Sequence, residues 1–319
     1  NGHGTHVAGT VGGSTYGVAK GVSLVAVRVL DCAGSGTTAG VIAGVDWVTS
    51  NHQAGQPAVA NMSLGGTGES LAMDLAISKA VALGVTFTLA AGNSNINVSN
   101  YHPAGNPDAI TVSALADFDG LPGGLAAPTC YTDIDDTRAN FSNYGAGVTI
   151  AAPGVCIYST FKDGAYTTKS GTSMAAPYVA GAAALLASTN LYNPYQIRDI
   201  LTTSGNYNWI DDSPDGILEP LLDVHDPAIF APVLLTTNYP IALTAVGYKV
   251  SAKQTTDLTW SGATTTTVDI YRDASFLLNT LNDGFHTDKI GIAGEGIHTY
   301  RICEAGSTTI CSTTVLIIY

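Results

Sequence analysis

Apolar positions follow two textures along the chain, and the change comes near residue 234. Before it, compact apolar runs alternate with longer helical patterns. Residues 22–30 (VSLVAVRVL), 58–64, 85–91, 109–114 and 148–152 are rich in Val, Ile, Leu and Ala, which predicts buried strands. Residues 37–51 have helical spacing after a Thr cap, and residues 70–83 (SLAMDLAISKAVAL) make an amphipathic helix that ends at Gly84. Residues 193–203 predict a helix capped by Asn193, with Pro194 in its first turn. Residues 170–186 (SGTSMAAPYVAGAAALL) open on small polar residues and become an Ala-rich buried helix. Ser173 is expected at or near its N-terminus, with Pro177 early enough to be tolerated in or near the first turn. Strands alternating with helices predict an α/β domain, a parallel sheet with helices on both faces.

Residues 204–233 dissolve into Asn, Asp, Pro and Gly, with LLDVHDPAIF as a last element of the first domain. Beyond them Thr, Val, Ile and Tyr alternate with polar residues in DLTWSG, TTVDIYRD, HTYRICE and STTVLII. That alternation predicts a small all-β sandwich, with Trp260 and Tyr300 as core aromatics. The expected division is 1–231, a linker at 232–236, and 237–319.

Composition narrows the function. Of 319 residues 45% are hydrophobic and 12% charged, which is the balance of a globular protein. The net charge of −13 argues against nucleic acid and anionic membrane partners. Apolar runs are broken well before membrane-spanning length. The opening NGHGTHVAG lacks the charged and apolar regions of a signal peptide, and a processed or truncated piece is expected. Five cysteines, at 32, 130, 156, 303 and 311, show no CxxC spacing, so a zinc ribbon is not indicated. Few Lys, much Thr and Ser, and well-separated Cys suit an exported protein. Cys130 is expected to pair with Cys156 and Cys303 with Cys311, each pair within one domain, leaving Cys32 as the odd one.

Candidate chemistry lies at three places in the first domain: His3 in NGHGTHVAG, Asn93 in TLAAGNSN, and Ser173 in SGTSMAAP. A serine hydroxyl needs a base to become a nucleophile, and a histidine near neutral pKa suits that task. The tetrahedral intermediate then needs donors, which an Asn93 amide and the Ser173 backbone N–H could supply. Each piece alone is weak. A His-x-x-His pair reads as structural or as metal ligands, though a third ligand and the glutamate of HExxH enzymes are missing.

Together the motifs resemble the subtilisin-like serine proteases, the subtilases. His3-Gly4-Thr5-His6-Val7-Ala8-Gly9 matches the family's histidine motif, Ala90-Ala91-Gly92-Asn93 its oxyanion motif, and Gly171-Thr172-Ser173-Met174-Ala175-Ala176-Pro177 its serine motif. Asn61-Met62-Ser63-Leu64-Gly65-Gly66 is similar to its substrate-binding strand, and the resemblance covers about the first 230 residues. It implies a secreted endopeptidase with His3 as general base, His6 as structural neighbour, Ser173 as nucleophile and Asn93 as oxyanion donor. Ser63, Leu64, Gly65, Gly66, Ala90, Ala91 and Gly92 would line a roomy apolar specificity pocket, whose edges pair an extended peptide.

The family's triad acid sits on a strand upstream of the histidine motif, and only Asn1 and Gly2 precede His3. Asp31 follows the wrong strand and reads as a loop acid. The resemblance therefore implies an Asp about 30–40 residues before His3, and a chain that alone is severely impaired. A catalytically inactive relative serving in binding or adhesion is the competing reading. The resemblance also offers a cis peptide at His102-Pro103, against an ordinary trans loop as the equal alternative, and implies no cofactor for the chemistry and room for an upstream propeptide inhibitor. Asp117, Asp119, Asp133, Asp135 and Asp136 show no regular ligand spacing and read first as solvated surface charge, with a structural calcium ion, as many subtilases carry, as the alternative. The expected state is a monomer acting on protein or peptide substrates, with a fibronectin type III-like sandwich appended.

Overall fold

The computed structural model describes residues 1–53, 55–189, 192–230, 241–273, 275–294, 296–307, 310–312 and 314–319. It divides into two units, residues 1–232 and 233–319. The expected linker at 232–236 lies outside the described residues.

The first unit is built on a parallel sheet. Strands β1 (Ala58–Met62), β3 (Val85–Ala90), β5 (Ile110–Ala116) and β7 (Ile150–Pro153) lie side by side in that order. Their register sets Met62 beside Leu89, Ala90 beside Val112 and Ala114 beside Ala152. Strand β6 (Thr137–Arg138) pairs antiparallel with the end of β5. Every residue of β3 and β5 is buried, including Thr86, Thr88, Thr111 and Ser113, whose small polar side chains sit between the covered faces. Two short strands, β2 (Gly66–Thr67) and β4 (Tyr101–His102), pair beyond the ends of β1 and β3. The hairpin of β8 (Ile157–Thr160) and β9 (Tyr166–Lys169) is antiparallel.

Helices cover the sheet as the pattern predicts. Val41 and Val45 of α2 (Thr38–Asn51) join Met73, Ile77 and Val81 of α3 (Leu71–Ala82) in one cluster with Phe87 and Leu89. Thr37 and Ser70 cap these two helices through their side chains. The other cluster is formed by α4 (Thr172–Thr189), whose Ala175, Ala176, Val179, Ala182 and Ala183 are buried with Val112, Ala114, Ile150 and Ala152. Small side chains let α4 approach the strands closely. Ile197 and Leu201 of α5 (Pro194–Ser204) join this cluster. Asn193 caps α5 in a reciprocal bond pair with Gln196. A final turn, α6 (Pro227–Phe230), falls in the expected last element.

Three details depart from the sequence reading. Residues 22–30 form no strand: among the described residues nothing pairs with them, and Leu24 and Val25 stay 53% and 71% exposed. An apolar run becomes a strand only where a neighbour takes up its N–H and C=O groups. Residues 3–12, rich in Gly, form a helix that the pattern did not predict, α1 (His3–Gly12). Its propensity is poor, so tertiary packing holds it, with Val7 against Met174 and Ile157. Finally, Pro177 is the sixth residue of α4 rather than part of its first turn.

Disulfides join Cys130 to Cys156 and Cys303 to Cys311, while Cys32 is free and exposed. Among the described residues no helix is long and apolar enough to cross a membrane.

The second unit has two antiparallel sheets. One holds β10 (Ala242–Val250), β11 (Lys253–Ser261) and β14 (Phe285–Ala293). The other holds β12 (Thr267–Arg272), β13 (Ser275–Leu281), β15 (Ile297–Glu304) and β16 (Val315–Ile318), ordered β13-β12-β15-β16. Leu258 and Trp260 from the first sheet pack with Val268, Ile270, Tyr300 and Ile302 from the second. Trp260 and Tyr300 are thus core aromatics. Their polar tips are satisfied, Trp260 Nε1 by Asn282 and Tyr300 Oη by Asp288, at 2.9 and 2.7 Å.

Candidate active site

The loop after β3 and the N-terminus of α4 are tied together by one side chain. Thr172 donates to Asn93 Oδ1 twice, from its backbone N–H at 2.8 Å and from its hydroxyl at 3.0 Å. The same hydroxyl accepts the Gly92 N–H at 3.0 Å. A backbone N–H can only donate, so these bonds fix which amide atom of Asn93 is the oxygen. The Nδ2 group is left with no bond among the described residues. Gly171, just before Thr172, has φ +152° and lets the chain turn sharply into the helix.

The first turn of α4 leaves a second donor unused. Thr172 N–H goes to Asn93, and Met174 and Ala175 N–H both go to the Gly171 carbonyl. Ser173 N–H alone has no acceptor among the described residues, at the positive end of an 18-residue helix. Two unengaged N–H groups therefore lie on residues joined through Thr172.

Ser173 is held from the β1 side. Ser63 Oγ donates to the Ser173 carbonyl at 2.8 Å, and Ser173 Oγ donates to the Ser63 carbonyl at 3.3 Å. Asn61 donates to Ser63 Oγ at 2.9 Å and accepts from Thr88 of β3 at 3.1 Å. The parallel register of β1 and β3 brings Asn61 beside Thr88, so the ends of both strands form one polar brace.

His3 starts α1, which packs on α4. Burial lowers its pKa below 6.5, and the positive charge of Lys169 and the neighbouring His6 lower it further. All three effects favour the neutral ring, the form a proton acceptor needs. No carboxylate among the described residues pairs with it. Asp31 is exposed and accepts the N–H groups of Ala33 and Ser35 in its own loop. His6 is fully buried, its Nε2 lying 3.1 Å from the carbonyls of both Ile157 and Thr167. That ring anchors α1 to the β8–β9 hairpin through Nε2, while its Nδ1 is buried without a hydrogen-bond partner.

The profile of the Subtilase family matches residues 1–223. The chain belongs to the subtilase family. It is 48% identical over 227 residues to alkaline serine exoprotease A of Vibrio alginolyticus, which takes in 71% of this chain and 39% of that protein. It is 48% identical over 222 residues to an extracellular serine proteinase of a Thermus species, covering 65% of this chain and 49% of the relative. A solved structure of a cold-adapted subtilisin-like serine proteinase matches with TM-score 0.61 and 49% identity, over 70% of this chain and 74% of that one. The chain spans two-fifths to half of the length of these two curated relatives.

In this subtilase the residues named from sequence converge unevenly. Ser63, Ala90, Ala91, Gly92, Asn93 and Ser173 gather at the C-terminal ends of β1 and β3 and the start of α4, and His3 comes in on α1. The expected roominess beside the glycines is not uniform. A side chain at Gly65 or Gly92 would run into the Tyr101 ring, at 2.5 and 2.7 Å, whereas at Gly66 the space is open. Leu64 packs as a half-buried member of the α2–α3 cluster. The His102-Pro103 peptide is cis.

Three residues that the sequence reading passed over matter here. Asn143 is fully buried, accepts the N–H groups of Ser94 and Ile96 at 3.0 and 3.1 Å, and donates to the Ala91 carbonyl at 2.8 Å. It shapes the loop that presents Asn93, yet in FSNYG it reads as any turn asparagine. Tyr101 and Lys169 likewise carry no local signal, since they act across the fold.

Among the acidic loops, Asp117, Asp119 and Asp135 bring carboxylate oxygens within 4.8 Å of one another. Burial, chiefly, raises Asp117 above the ordinary carboxylate range. All three accept backbone N–H groups of these loops, Asp117 from Gly120, Asp119 from Leu121 and Asp135 from Phe118 and Ala126. Asp133 and Asp136 do the same, Asp133 from Asn140 at 2.6 Å and Asp136 from Gly123 and Gly124 at 2.6 and 2.9 Å.

Proposed function

We propose that the chain carries the reaction centre of a secreted serine endopeptidase, which hydrolyses peptide bonds through an acyl-enzyme on Ser173. The observation that carries this reading is the pair of unengaged donors, Asn93 Nδ2 and Ser173 N–H, on residues joined through Thr172. Nothing in the described fold needs those two groups, and an oxyanion does.

The steps follow. The Ser173 hydroxyl turns from the Ser63 carbonyl to His3, whose neutral ring takes its proton. Ser173 Oγ attacks the substrate carbonyl carbon, and the resulting oxyanion is received by Asn93 Nδ2 and the Ser173 N–H. His3 then protonates the departing amine, and water hydrolyses the acyl-enzyme by the same proton route. Lys169 works against the imidazolium that forms, so an acid beside His3 is needed. We place that acid outside these 319 residues.

An extended protein or peptide substrate would pair along the segments that follow β1 and β3, with Ser63, Leu64, Gly65, Gly66, Ala90, Ala91 and Gly92 lining its specificity pocket. Asp117, Asp119 and Asp135 offer only hard oxygen donors and would hold a structural calcium ion. The names of the Vibrio and Thermus relatives, exoprotease and extracellular proteinase, support secretion, as do the two disulfides. The second unit, with strands one, two and five facing strands three, four, six and seven, supports a fibronectin type III-like module.

The test is hydrolysis of an unfolded protein by the full-length enzyme. Activity should fall to background in both S173A and H3A. Undiminished activity in S173A would remove Ser173 from the chemistry, and an inert wild type would favour a binding or adhesion protein.

A further inference from the structure

The loop between α5 and α6 holds a set of charges that the proteolytic chemistry does not use. Its sequence, Asp211-Asp212-Ser213-Pro214-Asp215-Gly216-Ile217-Leu218-Glu219, places oxygen-bearing side chains at the first, third, fifth and ninth positions and Gly at the sixth. Those are the side-chain ligand positions and the turn glycine of the first nine residues of an EF-hand loop. Gly216 adopts φ +71°, as that turn requires.

The internal bonds of the loop use one oxygen of Asp211 and one of Asp215. Asp211 Oδ1 accepts the Ser213 N–H at 2.8 Å, and Asp215 Oδ1 accepts the Ile217 N–H at 2.9 Å and the Ser213 hydroxyl at 2.7 Å. The other oxygens, Asp211 Oδ2, Asp215 Oδ2 and Glu219 Oε1, are all buried without a hydrogen-bond partner. Glu219 is only 5% exposed, and the Asp211 side chain only 4%. Glu219 faces the other two: burial first, then the charge of Asp211 and a proton the two carboxyls can share, and then the charge of Asp215, push its pKa up to about 8. Carboxylate oxygens can only accept, so they cannot satisfy one another without a proton or a cation between them.

Neighbouring charge does not resolve this. Arg138 Nε lies 3.5 Å from Asp211 Oδ1 and 3.2 Å from Asp212 Oδ1. Its guanidinium also donates to the Ser142 carbonyl at 2.7 Å and to Asn95 at 3.1 Å. Among the described residues no other ion pair reaches Asp211, Asp212, Asp215 or Glu219.

The loop is also held in shape before any ligand arrives. Ile210 exchanges backbone bonds with Asp136 and Arg138 at one end, and Asn206 pairs with Leu221 at the other. Trp209, buried against Leu115 and Ala151, donates to the Glu219 carbonyl at 3.0 Å. The acidic side chains thus sit on a fixed base, unlike solvated surface charge.

We propose that the loop of residues 211–219 is a divalent-cation site, with calcium as its ligand, held by Asp211, Ser213, Asp215 and Glu219. The hard, all-oxygen donor set selects calcium over a transition metal. The site is separate from the group of Asp117, Asp119 and Asp135, and it stands whether or not the chain is a working protease.

The experiment titrates calcium into the metal-free full-length protein by calorimetry and counts bound ions in wild type, E219Q and D119N. E219Q keeps the shape and hydrogen-bonding capacity of a protonated Glu219, so it should fold even if an aspartate variant does not. The count should fall by one ion in E219Q, and a calcium response should persist in D119N. Terbium in place of calcium should give emission excited through tryptophan in D119N, and this should fall at least fivefold when W209F is added. An unchanged ion count in E219Q would overturn the proposal. So would loss of all binding in D119N, which would leave the Asp117 group as the whole response.

Discussion

The hydroxyl of Ser63 donates to the carbonyl of Ser173 at 2.8 Å, and that carbonyl is the one left free by Pro177. In an uninterrupted helix the residue four positions on supplies the bond, but proline has no N–H. A proline six residues into α4 thus becomes useful. It opens a carbonyl next to the nucleophile candidate, and the segment after β1 closes on it.

This relationship predicts a compensating pair. S63A should leave a part-buried carbonyl unsatisfied and destabilise the protein by about 1–3 kcal/mol. P177A can supply the missing N–H from within the helix, so S63A should be much less harmful in the P177A background. For a domain of this size about 1 kcal/mol corresponds to roughly 2–4 °C in Tm. Calorimetric melting of the four proteins checks it. Additive Tm losses would contradict the account.

Asn143 should matter as much as a named site residue. N143A removes three bonds from a fully buried position and strands two N–H groups and one carbonyl in the loop before and after Asn93. We expect a loss of about 2–4 kcal/mol, and reduced turnover even under conditions where the variant is folded. Denaturant unfolding together with a peptide-hydrolysis assay measures both.

N93A should act on the transition state and leave substrate binding nearly untouched. With KM little changed, kcat should drop by about 10²–10³-fold, a magnitude carried over from subtilisin's own oxyanion-hole asparagine. A rise in KM at unchanged kcat would mean that Asn93 only shapes the pocket.

His3 and His6 both have pKa values lowered from 6.5, first of all by burial. Each therefore binds its proton more weakly folded than unfolded. Their contribution to stability is complete above pH 6.5 and is lost as pH falls below it. Lys169 adds to the lowering at His3, so K169M should move the His3 titration back toward 6.5. Nuclear magnetic resonance of the His3 ring across pH 4 to 8 reads this shift. The acid limb of hydrolysis should move to higher pH with it.

Much of this could be read from the sequence, and the exceptions share a cause. Strands β3 and β5 are buried on both faces, so their composition alone announces them, and Thr37, Ser70 and Asn193 mark the starts of three helices. His3, Asn93 and Ser173 stand out as candidates because short motifs carry them. Residues 22–30 were misread because a strand needs a neighbour, and the composition of a run says nothing about whether one is present. Helix α1 was missed for the converse reason: its glycines argue against a helix that packing on α4 sustains. Asn143, Tyr101 and Lys169 act through contacts across the fold, on residues that lie far from them in sequence or one strand away, and no local pattern encodes those.

The reading proposed above makes Ser173 a nucleophile served by the donors around it. A fluorophosphonate probe applied to the full-length protein, followed by mass spectrometry of the labelled peptide, measures that directly. The account predicts one adduct, on Ser173, absent in S173A and much slower to form in N93A and H3A. Labelling that persists in S173A, or a wild type that never labels, would contradict it.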